Sequence, residues 1–343
     1  MNMQRPIFTS DNPSFSLLIQ RASVAMASHA INCTTGSPAS MQSIAEPLPQ
    51  PEVRYLQASL SEATKRAYRA DVLAFLSSGG SIPATQVQVA RYLAALAEEL
   101  SPVTLQRRAV AIGKAHVAQG CVDPTKGEHV RATLRGIRRL HGRPQRQAAP
   151  LLREDLLAVV DALPDSLMGV RDRALLLVGF AGGFRRSEVV GLDVEDVTFV
   201  PDGLLVTLRR SKTDQEGVGR KVGIPYGRTR ACPVKALRTW LDKAEVASGP
   251  IFRPVSKGGQ IGSRALTDQS VNLVLRKCAA RVGLPCERLS GHSLRAGLVT
   301  SAAKAGVSSW KIRQQTGHRS DAMLQRYIRD ADIFVENAAG ALL

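Results

Sequence analysis

Near its carboxyl end the sequence sets His292 and Arg295 three positions apart in GHSLR, His318 behind a glycine in TGHRS, and Tyr327 nine positions further on. Upstream, Arg185 stands in GGFRRSEVVGL, with Glu188 three positions after it. These residue types suit one chemistry: holding a phosphodiester and attacking it with a tyrosine oxygen. A planar guanidinium fork matches a pair of phosphate oxygens. A phenol titrates near 10, so at neutral pH only about one in a thousand is ionised, a deficit of roughly 4 kcal/mol. A cationic pocket must offset that deficit, and a histidine beside the phenol or the phosphate can accept or share the proton.

Each residue also has a plainer reading. Taken alone, Arg185 is an ordinary arginine at a helix end, and a histidine in H-x-x-R more often caps a helix or sits satisfied in a core. The spacing of His292 and Arg295 places both on one helix face, where their tips can reach one point. Gly317 is expected to close the preceding helix, and Asp321 to cap the one that carries Tyr327. Among the five tyrosines, Tyr55 and Tyr226 fit loops and Tyr68 and Tyr92 fit helix faces, so Tyr327 alone has this setting.

The elements that must position these residues read as mainly helical with a small antiparallel β-sheet. Residues 1–52 are rich in Ser, Ala, Pro, Asn and Gln without a sustained apolar period, which predicts a disordered tail. A helical unit follows over 53–141. Thr64, Tyr68, Val72, Phe75 and Leu76 share a face, and Gly79-Gly80 stops that helix. A second helix is expected from about Thr85, with Val89, Leu93, Leu96 and Leu100 on a stripe that Ser101-Pro102 ends. A third starts near Thr104, and a fourth covers about Lys126 to His141.

From Thr104 to Arg146 basic residues far outnumber Asp123 and Glu128. Arg107, Arg108, Lys114, Arg131, Arg135, Arg138 and Arg139 are the candidate phosphate contacts, although a solvated helix face is the usual fate of such a run. GRPQRQAAP at 142–150 has linker composition. The unit over 151–332 opens with a short helix at Asp155 to Leu163 and a buried one at Arg171 to Phe184. Then VTFV, LLVTL and VGIP alternate as strands, and helices resume at about Pro233 and Asp268. The last stretch, 333–343, is apolar: docking on its own unit or on a neighbouring protomer would each bury it.

Bulk properties narrow the classes. A chain of 343 residues is comfortable for two cores. With 46 Lys and Arg against 29 Asp and Glu, the formal charge is +17, so nucleic acid is the first partner to test. Five scattered cysteines without C-x-x-C spacing argue against a zinc site and a disulfide framework, and fit a reducing cytoplasm. No apolar run approaches the ~20 residues that span a bilayer. The absence of a G-x-x-x-x-G-K-[ST] loop gives no support for nucleotide hydrolysis. Neither a metal nor another cofactor is expected.

On these residues the C-terminal half resembles the catalytic domain of the tyrosine recombinases, the integrase and Xer-type family. Its Arg, Lys, H-x-x-R, His or Trp, and Tyr pattern maps in order onto Arg185, Lys212, His292, Arg295, His318 and Tyr327, with Glu188 at the family's acidic position. The helical unit, ending in RATLRGIRR, resembles the family's SAM-like core-binding domain less specifically. The resemblance implies a site-specific DNA recombinase: the arginines hold the phosphate, Tyr327 forms a 3'-phosphotyrosine, and a hairpin lysine protonates the leaving oxygen. Lys212 in RRSKTDQ is the choice for that role, with Lys221, Arg209 and Arg210 on the same hairpin as competitors. It further implies duplex DNA, four protomers on two sites with 333–343 packed on a neighbour, accessory DNA-bending or directionality proteins, and a cytoplasmic, nucleoid-associated setting. A type IB topoisomerase-like relaxing enzyme and a catalytically silent DNA-binding regulator are the alternatives.

Overall fold

A computed structural model describes residues 59–142, 148–209, 219–318, 320 and 324. The chain divides into two compact units, Met1–Gln145 and Arg146–Leu343, and the division lies inside the linker-like stretch 142–150.

In the first unit, α1 (Glu62–Ser77) packs on α3 (Pro102–Ala118), and α2 (Gln86–Ala95) packs on α4 (Glu128–His141). Phe75, Val89, Leu93, Leu105, Ile112 and Val130 are buried in the shared core. The helix starts are written in the side chains. Ser61 and Ser101 each accept the N–H of the residue three positions on, at 3.2 Å, and Thr85 and Gln88 form a reciprocal box. Helix α2 stops at Ala95, earlier than its apolar stripe suggests. Continued helix would place Glu98 and Glu99 at the negative end of the dipole, and Leu96 and Leu100 still reach the core from the turn. Ser101-Pro102 therefore opens α3 rather than only ending α2, because proline at the first helical position loses no hydrogen bond.

In the second unit, α6 (Leu167–Ala181) is the central helix, following α5 (Arg153–Asp161). It begins four residues before the expected Arg171, where Ser166 caps it by accepting the Gly169 N–H at 3.3 Å. Val170, Ala174, Leu175, Leu176 and Val178 are buried, so this helix is apolar almost all round. It packs against α8 (Pro233–Lys243) and α10 (Gly291–Lys304). Between α6 and α8 lie a single-turn helix, α7 (Arg186–Val190), and an antiparallel sheet of order β1 (Val197–Val200), β2 (Gly203–Leu208), β3 (Arg220–Pro225). Val206 stands opposite Val197 on one side and Val222 on the other, so the strand alternation read from sequence has its apolar phase inward. Helices α9 (Asp268–Arg281) and α11 (Ser309–Thr316) complete the described part. Among the described residues no helix is long and apolar enough to cross a membrane.

Candidate active site

Helix α6 ends at Gly182, and Gly183 follows with φ +58°. A Cβ at Gly183 would come within 2.8 Å of Leu298 on α10 and 2.9 Å of Thr316 on α11, so glycine lets three helices meet here. Two residues later the chain enters α7 through Arg185. Its backbone N–H donates to Glu188 Oε2 at 2.8 Å, and its Nη1 donates to Oε1 of the same carboxylate at 2.6 Å. Both side chains are largely buried. Main chain and guanidinium thus grip one carboxylate from two directions, which sets the direction of the Arg185 fork.

Arg295, on α10, is 3% exposed, and its Nη1 donates to the Gly183 carbonyl at 2.6 Å. This bond ties the second arginine to the turn that launches the first. His292 lies one turn earlier on α10, at the end capped by Ser290, whose oxygen accepts the His292 N–H at 3.3 Å. Its side chain is exposed where Arg295 is buried, so the shared helix face places the two residues in different surroundings.

His318 follows Gly317, which closes α11 in the left-handed conformation, with φ +68° and its N–H given to Arg313 O at 2.7 Å. The ring is 7% exposed. The Thr316 hydroxyl gives its one proton to Ile312 O at 2.7 Å, so it accepts from His318 Nδ1–H, also at 2.7 Å. The ring is therefore the Nδ1–H tautomer, with the lone pair on Nε2. Burial, followed by the positive fields of Arg295, Arg185, Arg220 and Arg313, lowers its pKa to about 3. At neutral pH it is an uncharged imidazole in a cationic pocket.

The structure thus brings together Arg185, Glu188, Arg295 and His318. Lys212 and Tyr327 lie outside the described residues. Of the other hairpin bases, Arg209 pairs with the buried Asp196 at 2.5 Å, Lys221 faces outward, and Arg210 is also outside the described residues. Among the described residues no group of His, Cys, Asp and Glu is placed to hold a metal.

Three residues of this cluster were not singled out in the sequence: Arg220, Gln315 and Thr316. Arg220 had a readable signal. In β3 it shares the period-two phase of buried Val222 and Ile224, which aims an arginine inward.

The basic residues of the first unit fall into two sets. Arg107 forms a two-pronged pair with buried Asp71, at 2.8 and 3.0 Å. Arg108 stands 3.6 Å from the same carboxylate and donates to Tyr92 Oη at 2.6 Å, and Lys114 lies over the Tyr68 ring. Arg131, Arg135, Arg138 and Arg139 are instead exposed along α4, where Arg135 also pairs with exposed Glu128. The first three of these line a groove of about 180 Å³ with Gln106 and Thr125.

The model of the phage integrase family matches residues 151–333. An integrase/recombinase XerD homologue from Selenomonas ruminantium is 38% identical over 295 residues, covering 83% of this chain and 86% of that protein. The Cre recombinase of Escherichia phage P1 is 26% identical over 270 residues, covering 73% and 77%. Among solved structures, the XerH site-specific recombinase in a post-cleavage complex with a palindromic difH substrate gives a TM-score of 0.59 at 16% identity, over 98% of this chain and 99% of that one. A lambda integrase dimer bound to a core site gives 0.56 at 20% identity, over 81% and 93%. These two likenesses carry the fold. Relatives named as recombinases and integrases favour strand exchange over simple relaxation or silent regulation. This chain belongs to the phage integrase family, the tyrosine-type site-specific recombinases.

Proposed function

We infer that Arg185 and Arg295 hold the non-bridging oxygens of a scissile DNA phosphate while the Tyr327 oxygen attacks phosphorus. The new bond is a 3'-phosphotyrosine ester. The bond that breaks is to the 5'-oxygen, which leaves as a hydroxyl after taking a proton from Lys212. The energy of the ester is retained, so a 5'-hydroxyl from a partner strand can displace the tyrosine at little net cost.

The observation that carries this reading is the convergence of arginine side chains on the buried His318 ring. Arg185 pairs with Glu188, Arg220 stands 4.0 Å from it, and the fields of Arg295, Arg185, Arg220 and Arg313 converge on the uncharged His318 ring. A phosphodiester entering that field would be stabilised by it. His318 suits the proton traffic: with Nδ1–H given to Thr316, the accepting nitrogen is Nε2, which takes the phenolic proton on attack and returns it to the tyrosine oxygen when a 5'-hydroxyl displaces the ester. His292 is assigned to the same phosphate from the opposite end of the α10 turn. No group in this scheme requires a metal or a nucleotide.

The unit over 53–141 serves as the core-binding domain. The exposed arginines of α4 suit phosphate contacts better than Arg107 and Arg108, which already have internal partners. Four protomers on two duplex sites, with 333–343 packed on a neighbour, complete the assembly, and accessory DNA-bending proteins set its direction. Its setting is the cytoplasmic nucleoid.

Trapping on nicked suicide DNA tests the reading. The unmodified protein should form a detergent-resistant adduct and Tyr327→Phe none. An adduct that persists in Tyr327→Phe would move the nucleophile elsewhere.

A further inference from the structure

Arg220 is the member of the cluster that belongs to none of the assigned roles. It rises from β3, and Lys212 falls in the sequence between β2 and β3. Its Nη1 donates to Gln315 O at 2.6 Å, two residues before the Gly317 turn. Nη2 is buried, makes no hydrogen bond among the described residues, and stands 4.0 Å from Glu188 Oε2. The plane of the guanidinium lies against Gly317, where an added Cβ would sit 3.0 Å from its carbon. Gln315 returns the contact, donating from Nε2 to Gly223 O of β3 at 3.2 Å and to Ala181 O of α6 at 2.9 Å. Strand β3, the end of α6 and the turn before His318 are thus laced together through one arginine and one glutamine. A purely structural link between two surface elements would not need a charged, desolvated group, which is costly to bury beside the Arg185 guanidinium.

We propose that Arg220 is a positioning residue for strand transfer: it fixes the hairpin strand to the His318 turn and holds Glu188, and through it Arg185, in register. This rests on the strand-transfer reading above. The groups facing His318 are Arg295 from α10, Arg185 with Glu188 from α7, Arg220 from β3 and Arg313 from α11. Removing one of these positive charges makes the ring easier to protonate.

The test uses the full chain on nicked suicide DNA, with Arg220→Ala and Arg220→Lys measured for melting temperature, DNA affinity, adduct rate and the pH dependence of that rate. Arg220→Ala should bind DNA nearly as the unmodified protein does but form adduct about 100-fold more slowly, the cost of a small misplacement at a reacting centre. Its acidic limb should move to higher pH. Arg220→Lys keeps the charge but not the fork, so its pH profile should match the unmodified protein while its rate recovers only to about tenfold below it. Arg220→Lys at full rate would overturn the proposal, even if Arg220→Ala fails to fold. So would an Arg220→Ala protein that loses DNA affinity and adduct rate in equal proportion. An unmodified protein that forms no adduct would instead remove the strand-transfer reading, and this inference with it.

Discussion

Asp71 in the helical unit and Glu188 in the catalytic unit are each buried beside arginines, and the surroundings of the two differ. In the helical unit Asp71 receives both prongs of Arg107, with Arg108 nearby and bonded to Tyr92. Arg107 spends its fork on the carboxylate, and Arg108 is held by the Tyr92 hydroxyl. In the catalytic unit Glu188 takes Arg185 and faces Arg220 at 4.0 Å, while Arg295 turns to a backbone carbonyl. Here the fields of several arginines fall on a ring held uncharged beside them. Arginine-rich sequence therefore does not by itself mark a phosphate site. What the arginines face distinguishes the two clusters: a carboxylate and a phenol in one, a carboxylate and a neutral imidazole in the other.

The largest effects should come from the arginines around the ring. Arg185→Ala and Arg295→Ala should each slow adduct formation about 10³-fold, as removal of an electrostatic donor at a reacting centre does. Arg107→Ala, tested on the same suicide DNA, should leave the rate of the bound complex nearly unchanged. Asp71→Ala probes the other side of the contrast. It leaves two guanidiniums without their buried carboxylate and should lower unfolding stability by about 2 kcal/mol, read by urea titration, with little change in chemistry once DNA is bound.

The pH dependence of stability sharpens the contrast further. His318 is depressed from 6.5 to about 3, so as pH falls the unfolded chain takes up its proton first. The stabilisation is fully present above about 6.5 and is lost as pH drops towards 3. Urea midpoints across that range should fall with pH, and His318→Gln should flatten the slope. The smallest effect is expected at the exposed arginines. Arg138→Glu should weaken binding evenly across DNA sequences and make the salt dependence shallower, by about 1 in slope for every phosphate no longer neutralised.

Much of this arrangement is legible in local sequence, because its causes are local. Strand ends at VTFV and LLVTL follow from alternation, and the starts of α1, α2 and α3 follow from Ser61, Thr85 and Ser101. The early end of α2 was obscured by Leu96 and Leu100, which stay apolar because the turn also touches the core. The partnership of Asp71 with Arg107 spans 36 positions, so a basic run gave no sign that its first members were already occupied. In the site, Arg185, Arg295 and His318 could be named as candidates from type and spacing, and Glu188 from the family resemblance. The neutrality of His318 could not, since it depends on charges that only folding brings to the ring. Arg220 lies between these cases: strand parity marks it, yet its role depends on meeting Gln315, 95 positions away.

The most direct measurement is the titration of the His318 ring by heteronuclear NMR, in the full-length Tyr327→Phe protein, free and bound to an uncleaved duplex site. The account predicts a free ring that remains the neutral Nδ1–H tautomer well below pH 6.5, down towards about 3, and a marked upward shift when a phosphodiester occupies the arginines. An ordinary titration near 6.5 in the free protein, unmoved by DNA, would contradict it.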